Sequence, residues 1–290
     1  MIITTVGQGL IMSILGIGLF LTYRILDFPD MTTEGSFPLG GVVSVTAITY
    51  GVSPLLATFL GILAGSLAGL MTALLYTKGK IPVLLSGVLV MTSLHSVMLF
   101  IMQKASISLY HFPHIFEYGR GIKGAPSQFE LIVIGVVALT ILIGLITYFF
   151  QTDLGQAYVV TGDNEVMARA MGIQTNRMKT LGLMLSNGIV ALSGSLMAQS
   201  EGYASLNKGI GVIVIGLASI LIGEMLFQEL NFTERLLAVV VGSIIYQCVI
   251  ITLIKLGVNT NYLKIFSSGI LTMCLLFPMF QKKVKGGMFV

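Results

Sequence analysis

Only 10% of the 290 residues are charged and 55% are hydrophobic, whereas ordinary soluble domains carry about 25% charged residues. The mean hydropathy is +0.95, which excludes a soluble enzyme or binding module and points to a multi-pass membrane protein. The net charge of +4 is small and calls for no nucleic-acid partner. Cys248 and Cys274 both lie in apolar runs, so neither a disulfide framework nor a metal cluster is expected. The N-terminus lacks the basic flank of a cleavable leader, and its apolar run continues too far for one.

In chain order, about nine hydrophobic segments follow one another: Thr5–Leu26, Leu39–Tyr50, Pro54–Tyr76, Ile81–Met102, Phe129–Phe150, Leu181–Gln199, Gly209–Phe227, Leu236–Ile254 and Leu263–Phe280. Most approach the ~20 residues needed to cross ~30 Å of hydrocarbon. The expectation is one all-α transmembrane domain over residues 1–290. The second segment is short, and the seventh is interrupted by Gly216, Gly223 and Glu224. One or two broken or re-entrant helices are therefore expected, lining protein or water rather than lipid.

Between the first two segments, Asp27–Gly41 holds two prolines, three glycines and three acids. Pro29 and Pro38 remove helical donors, while Asp30, Thr32, Glu34 and Ser36, with Phe37 beside them, offer contacts to a polar solute. Spacing alone leaves a translocation-path element and a plain connector equally open. The connection Gln103–Gln128 contains Tyr110-His111-Phe112-Pro113-His114, readable as an interfacial helix, a cap or an aromatic belt. His95 and Gln247 are expected to bond neighbouring helices. Glu224 is either a costly intramembrane acid with a path or coupling role, or an unexceptional residue at the end of its segment. Leu181–Gly211 faintly echoes the first helix and its Gly-rich successor, as an inverted repeat would.

Midway, Gly162-Asp163-Asn164-Glu165-Val166-Met167-Ala168-Arg169-Ala170-Met171-Gly172-Ile173 reads as a short polar helix between membrane segments. Asp163 or Asn164 can cap its start, and Gly172 can end it in the left-handed conformation. Val166, Met167, Ala170 and Met171 form an apolar side, with Glu165 and Arg169 in water. The apolar side is short and without large aromatics, which favours docking of a partner over lying in the headgroups. With the Asp153–Thr180 loop placed in the cytoplasm, ten of the 16 Lys and Arg residues fall on that side. That sets the N-terminus outside and the C-terminus inside.

These residues carry a resemblance. The Gly162-Asp163-Asn164, Ala168, Gly172-Ile173 pattern before the small-residue helix Leu181–Gln199 is similar to the coupling region of ABC importer permeases of the branched-chain amino acid and ribose group. Tyr23–Gly41 adds similarity to a bacterial subfamily encoded beside tryptophan/tyrosine-type binding proteins. The resemblance implies a permease subunit in the bacterial plasma membrane, with Gly162–Ile173 as coupling helix, and favours Asp27–Gly41 as a path element. It further implies a second permease subunit, most simply a second copy of this chain in a homodimer, two cytoplasmic ATPases that bind ATP and Mg, and an external solute-binding protein. The solute would be an amino acid, aromatic by the subfamily. No GxxxxGK(S/T) phosphate cradle occurs in the chain, so the chain itself is expected to bind no cofactor and hydrolyse no ATP. The alternative is a self-contained secondary transporter, with Glu224 coupled to an ion gradient.

Overall fold

The computed structural model describes residues 2–110, 112–117, 129–227, 231–258 and 262–286, with residues 2 and 277–286 as backbone alone. His111, Arg120, Lys123 and the side chains of Lys282, Lys283 and Lys285 lie outside that description. Helix α1 (Ile2–Leu19) continues as a π-helix, Phe20–Ile25, and is followed by α2 (Thr33–Thr49), α3 (Pro54–Thr77) and α4 (Val83–Met102). A central group holds α5 (Phe129–Gln151), α6 (Asp153–Asp163) and α7 (Glu165–Ala170). The last group is α8 (Thr175–Glu201), α9 (Val212–Leu226), α10 (Phe232–Lys255) and α11 (Leu263–Gly286). After α4, β1 (Ser106–Ser108) pairs antiparallel with β2 (Tyr203–Ser205), which follows α8, Ile107 opposite Ala204. This two-stranded ribbon, rather than an interfacial helix, occupies the described start of the Gln103–Gln128 connection.

Among the described residues, seven helices are long and apolar enough to cross a membrane. This corrects the expected nine. The other two are α2, 17 residues long, and α11, whose fully described part is Leu263–Leu276. At ~1.5 Å per residue, α2 spans only about 25 Å. Its start is also earlier than hydropathy suggests: the polar run from Thr33 to Ser36 is already helical, and Pro38 lies inside the helix rather than at a break. The true break is Leu26–Thr32. Likewise α9 runs unbroken past Gly216 and Gly223. These glycines are packing contacts, because a Cβ at Gly216 would overlap Leu19 and one at Gly223 the Ala238 carbonyl.

The two outer groups repeat one plan in opposite senses. Each has a long helix (α1, α8), a break in the α-helical course, a short helix (α2, α9) and a further long helix packed on it (α3, α10). The long helix of each group also packs on the third helix of the other, α3 on α8 and α10 on α1. α1 runs toward α7, since Gly162 near the end of α6 abuts Ile25; α8 starts just after α7 and runs away from it. The echo in the sequence is thus an inverted repeat in the fold.

At the centre, α8 is buried along most of its length. It meets α2 and α3 backbone to backbone: a Cβ at Gly40 would overlap the Ala191 carbonyl, one at Gly65 the Asn187 carbonyl and one at Gly69 the Leu183 carbonyl. Lipid supplies no hydrophobic drive for helix association, so such close small-residue contact and buried hydrogen bonds hold the bundle. The outside is apolar, with Leu55, Phe59, Leu67 and Met71 of α3 and Ile141, Leu145 and Tyr148 of α5 exposed, as a bilayer requires.

Candidate functional site

Helix α7 begins at Asn164, whose side chain accepts the Met167 N–H at 3.0 Å, a cap contributing about 1 kcal/mol. Of the two candidate caps, Asn164 holds the position. Asp163 is the last residue of α6, and Gly162 lies within α6, packed so closely on the Ile25 carbonyl that no side chain fits. The expected single helix from Gly162 onward is therefore two, split at Asn164. Gly172, with φ of +83°, ends the element in the left-handed region where only glycine is unstrained, followed by half-buried Ile173.

The two sides of α7 differ sharply. Ala168 is fully buried, while Val166 is 80%, Met167 55% and Met171 63% exposed; Ala170 and Arg169 are exposed as well. Glu165 departs from the expectation that it stays in water. Its carboxylate accepts from Lys179 Nζ at 2.8 Å, Arg169 Nη2 at 2.7 Å and Thr175 Oγ1 at 3.2 Å. Partial burial pushes the Glu165 carboxyl up, but the hydrogen bonds and charges of Lys179 and Arg169 outweigh it and hold it below the usual range. A carboxylate fixed beneath the helix anchors α7 to the start of α8 and leaves its apolar side uncovered.

The membrane break and the start of α2 bury a cluster of polar side chains. After the π-helix, Asp27 takes a positive φ of 50°, turning the chain back into the bundle. Asp30, Thr32, Thr33 and Ser36 are fully buried. Asp30 accepts the Thr32 N–H at 2.8 Å and Asn187 Nδ2 at 2.6 Å. Ser36 donates to Asn187 Oδ1 at 2.6 Å, and the Thr32 and Thr72 hydroxyls lie 2.6 Å apart. A buried carboxylate is tolerable only when its lone pairs are occupied in this way.

The proposed path residues thus separate into three places. Asp30, Thr32 and Ser36 meet α8 and α3, and Phe37 is buried in the core. Glu34 turns elsewhere, accepting the Gly211 N–H at 3.1 Å just before α9. Glu224 sits near the end of α9 and pairs with Arg24 Nε at 2.8 Å, both partly exposed; it is a paired terminal residue rather than an acid in mid-helix. Gln247 donates to Gln8 at 3.1 Å, joining α10 to α1 as expected, whereas His95 is exposed on α4.

Three important participants escape sequence reasoning. Asn187 is a lone amide in a small-residue run, and Thr72 one hydroxyl in an apolar helix. Lys179 is counted as a loop charge but is buried on α8, where it donates to the Tyr76 hydroxyl at 2.9 Å. A lone Asn and a Lys at the border of a small-residue span are the only sequence signals of this network.

Comparisons with known proteins place the chain in a family. Residues 1–276 match the model of a family described as branched-chain amino acid transport system / permease component. The chain is 42% identical to a tyrosine transport system permease protein of Clostridioides difficile (strain R20291), over 92% of this chain and 88% of that protein. It is 26% identical to an autoinducer 2 import system permease protein of Enterobacter sp. (strain 638), over 81% of this chain and 66% of the relative. In fold, it is similar to a solved structure, PsaBC from Streptococcus pneumoniae in complex with Fab, with a TM-score of 0.51 at 15% identity, covering 94% of this chain and 88% of that one. From its buried polar break to its short exposed helix, this multi-pass membrane protein belongs to the branched-chain amino acid transport permease family.

Proposed function

We propose that the chain is the membrane-spanning subunit of an ATP-driven importer and that α7 is the surface through which a separate cytoplasmic ATPase drives it. The observation carrying this reading is the unpartnered apolar side of α7, Val166, Met167 and Met171, held outward by the Glu165–Lys179 anchor. In this reading ATP and Mg bind the partner ATPases, and this chain holds no cofactor. A second permease subunit, most simply a second copy, completes the path, and an external solute-binding protein delivers the solute. The tyrosine permease relative supports an amino acid, and an aromatic one, as that solute. The α7 end faces the cytoplasm of a bacterial plasma membrane, consistent with Arg24, Lys78, Arg169, Arg177 and Arg235 at that end, and the C-terminus lies on the same side. The pairing of Glu224 with Arg24 removes the motive for an ion-coupled secondary transporter.

Replacing Ala170 with Glu places a carboxylate within the proposed contact, where burial without a partner is costly. The variant is expected to fold but not to retain the ATPase during purification; a normally assembled complex with normal ATP turnover would discard the docking assignment. Cysteines at Lys78 and Arg177 are expected to resist a membrane-impermeant thiol reagent in intact cells. Labelling of both from outside would invert the orientation.

A further inference from the structure

The anchor of α7 does not end at Lys179. From Glu165 the Lys179 ammonium reaches on to the Tyr76 hydroxyl at 2.9 Å, at the last turn of α3. The Tyr76 ring stands edge-on against Phe28, centroids 5.2 Å apart at 89°. Phe28 is only 3% exposed and lies two residues before Asp30, whose carboxylate binds Asn187 on α8. An unbroken series of short contacts therefore runs from the docking helix to the buried polar break.

Its geometry suits transmission rather than mere cohesion. The Lys179 side chain is 9% exposed and Glu165 33%, so the ammonium sits within protein while its partner lies at the water boundary. A displacement of α7 moves Glu165, and the Lys179 head, tied to both Glu165 and Tyr76, must follow or lose a charge-assisted bond. The rings of Tyr76 and Phe28 are in van der Waals contact, and packed interiors convey displacement because they have no free volume to absorb it. The π-helix that leads into the break has its own support, where the Tyr158 hydroxyl of α6 donates to the Leu21 carbonyl at 2.7 Å.

We propose that Lys179 is the positioning residue that couples movement of α7 to the membrane break, acting through Tyr76 and Phe28. The proposal rests on α7 being the ATPase docking helix, and it assigns the internal path by which docking acts. Lys179→Met keeps the long apolar stem and removes the charge, while every residue of α7 is retained and Glu165 keeps its bonds to Arg169 and Thr175. In the complete complex reconstituted in liposomes, this variant is expected to retain the ATPase and hydrolyse ATP. The solute transported per ATP is expected to fall about fivefold or more, the lower end of the range for a coupling contact. Lys179→Arg, which preserves a cation able to reach both partners, should restore most of that ratio. Tyr76→Phe keeps the ring against Phe28 but removes the acceptor, and should lower the ratio without loss of assembly; it decides the matter if Lys179→Met does not fold. An unchanged ratio in Lys179→Met, or in Tyr76→Phe where Lys179→Met does not fold, overturns the proposal. Failure of the docking assignment shows separately, as a complex that still assembles with Ala170→Glu.

Discussion

The break after α1 and the break after α8 occupy equivalent places in an inverted repeat but are held by different chemistry. The first, Leu26–Thr32, is tied by buried side chains to the opposite half of the molecule: Asp30 and Ser36 to Asn187. The second, between α8 and α9, also reaches the opposite half, but largely through its main chain. β2 pairs with β1, which follows α4, Gly209 fits against the Glu34 carbonyl, where a side chain would not, and the Gly211 N–H donates to the Glu34 carboxylate at 3.1 Å; the Lys208–Glu201 pair is local. Both breaks must therefore reorganise when the halves move, the first by exchanging buried side-chain partners and the second by shifting main-chain contacts. Equal topology does not imply equal chemistry.

The strongest way to break this comparison is to remove Asn187. Asn187→Leu leaves the buried Asp30 carboxyl and the Ser36 hydroxyl without their shared partner, an effect of about 1–3 kcal/mol for each buried group left unsatisfied. The expected result is a large loss of thermal stability in detergent. Lys208→Ala breaks the partly exposed pair of the second break and is expected to cost only about 1 kcal/mol. Equal losses in the two variants would erase the distinction.

A middle-sized effect concerns movement. Ser36 has no exposure in this state, so a cysteine in its place should react slowly here and faster in another conformation of the transport cycle. Glu34→Gln keeps the acceptor for the Gly211 N–H but removes the charge, so folding should survive while uptake falls. Transport unaltered by Glu34→Gln, with Ser36→Cys labelling identical in nucleotide-free and ATP-trapped complexes, would leave this segment as a simple connector.

The smallest effect is one of pH at the α7 anchor. Glu165 has a folded-state value below its ordinary 4.5. Its contribution to stability is therefore fully present above about pH 4.5 and disappears as pH falls through the lowered folded value. Partial exposure and ionic screening keep it small. Wild type and Glu165→Gln should differ in thermal stability at neutral pH and converge in acid; a constant difference would mean that charge does not hold α7.

Much of the membrane domain was legible because hydropathy reports directly on burial in lipid. The apolar segments, the cap at Asn164 and the left-handed Gly172 follow from local chemistry. The polar break was only half legible. Asp27–Gly41 was visible as unusual, but its helical part from Thr33 was not, since the central position of α2 shelters polar residues that hydropathy assigns to a loop. Partners were not legible at all: Asp30 lies 157 positions from Asn187 and Tyr76 103 from Lys179. A single amide or ammonium carries no local sign of what it faces, which is why Glu165 read as a solvated charge.

The backbone contact of α8 with α2 and α3 has a consequence for how this sequence can change through time. At Gly40, Gly65 and Gly69 even one added methyl group meets a main-chain carbonyl rather than a yielding side chain, so the seam accepts almost no replacement. On the opposite side of α3, Leu55, Leu67 and Met71 face outward, and any apolar residue serves there. Neutral drift in these helices is thus channelled to the lipid side, and a saturation scan should find a tolerant outer stripe running beside an intolerant inner one.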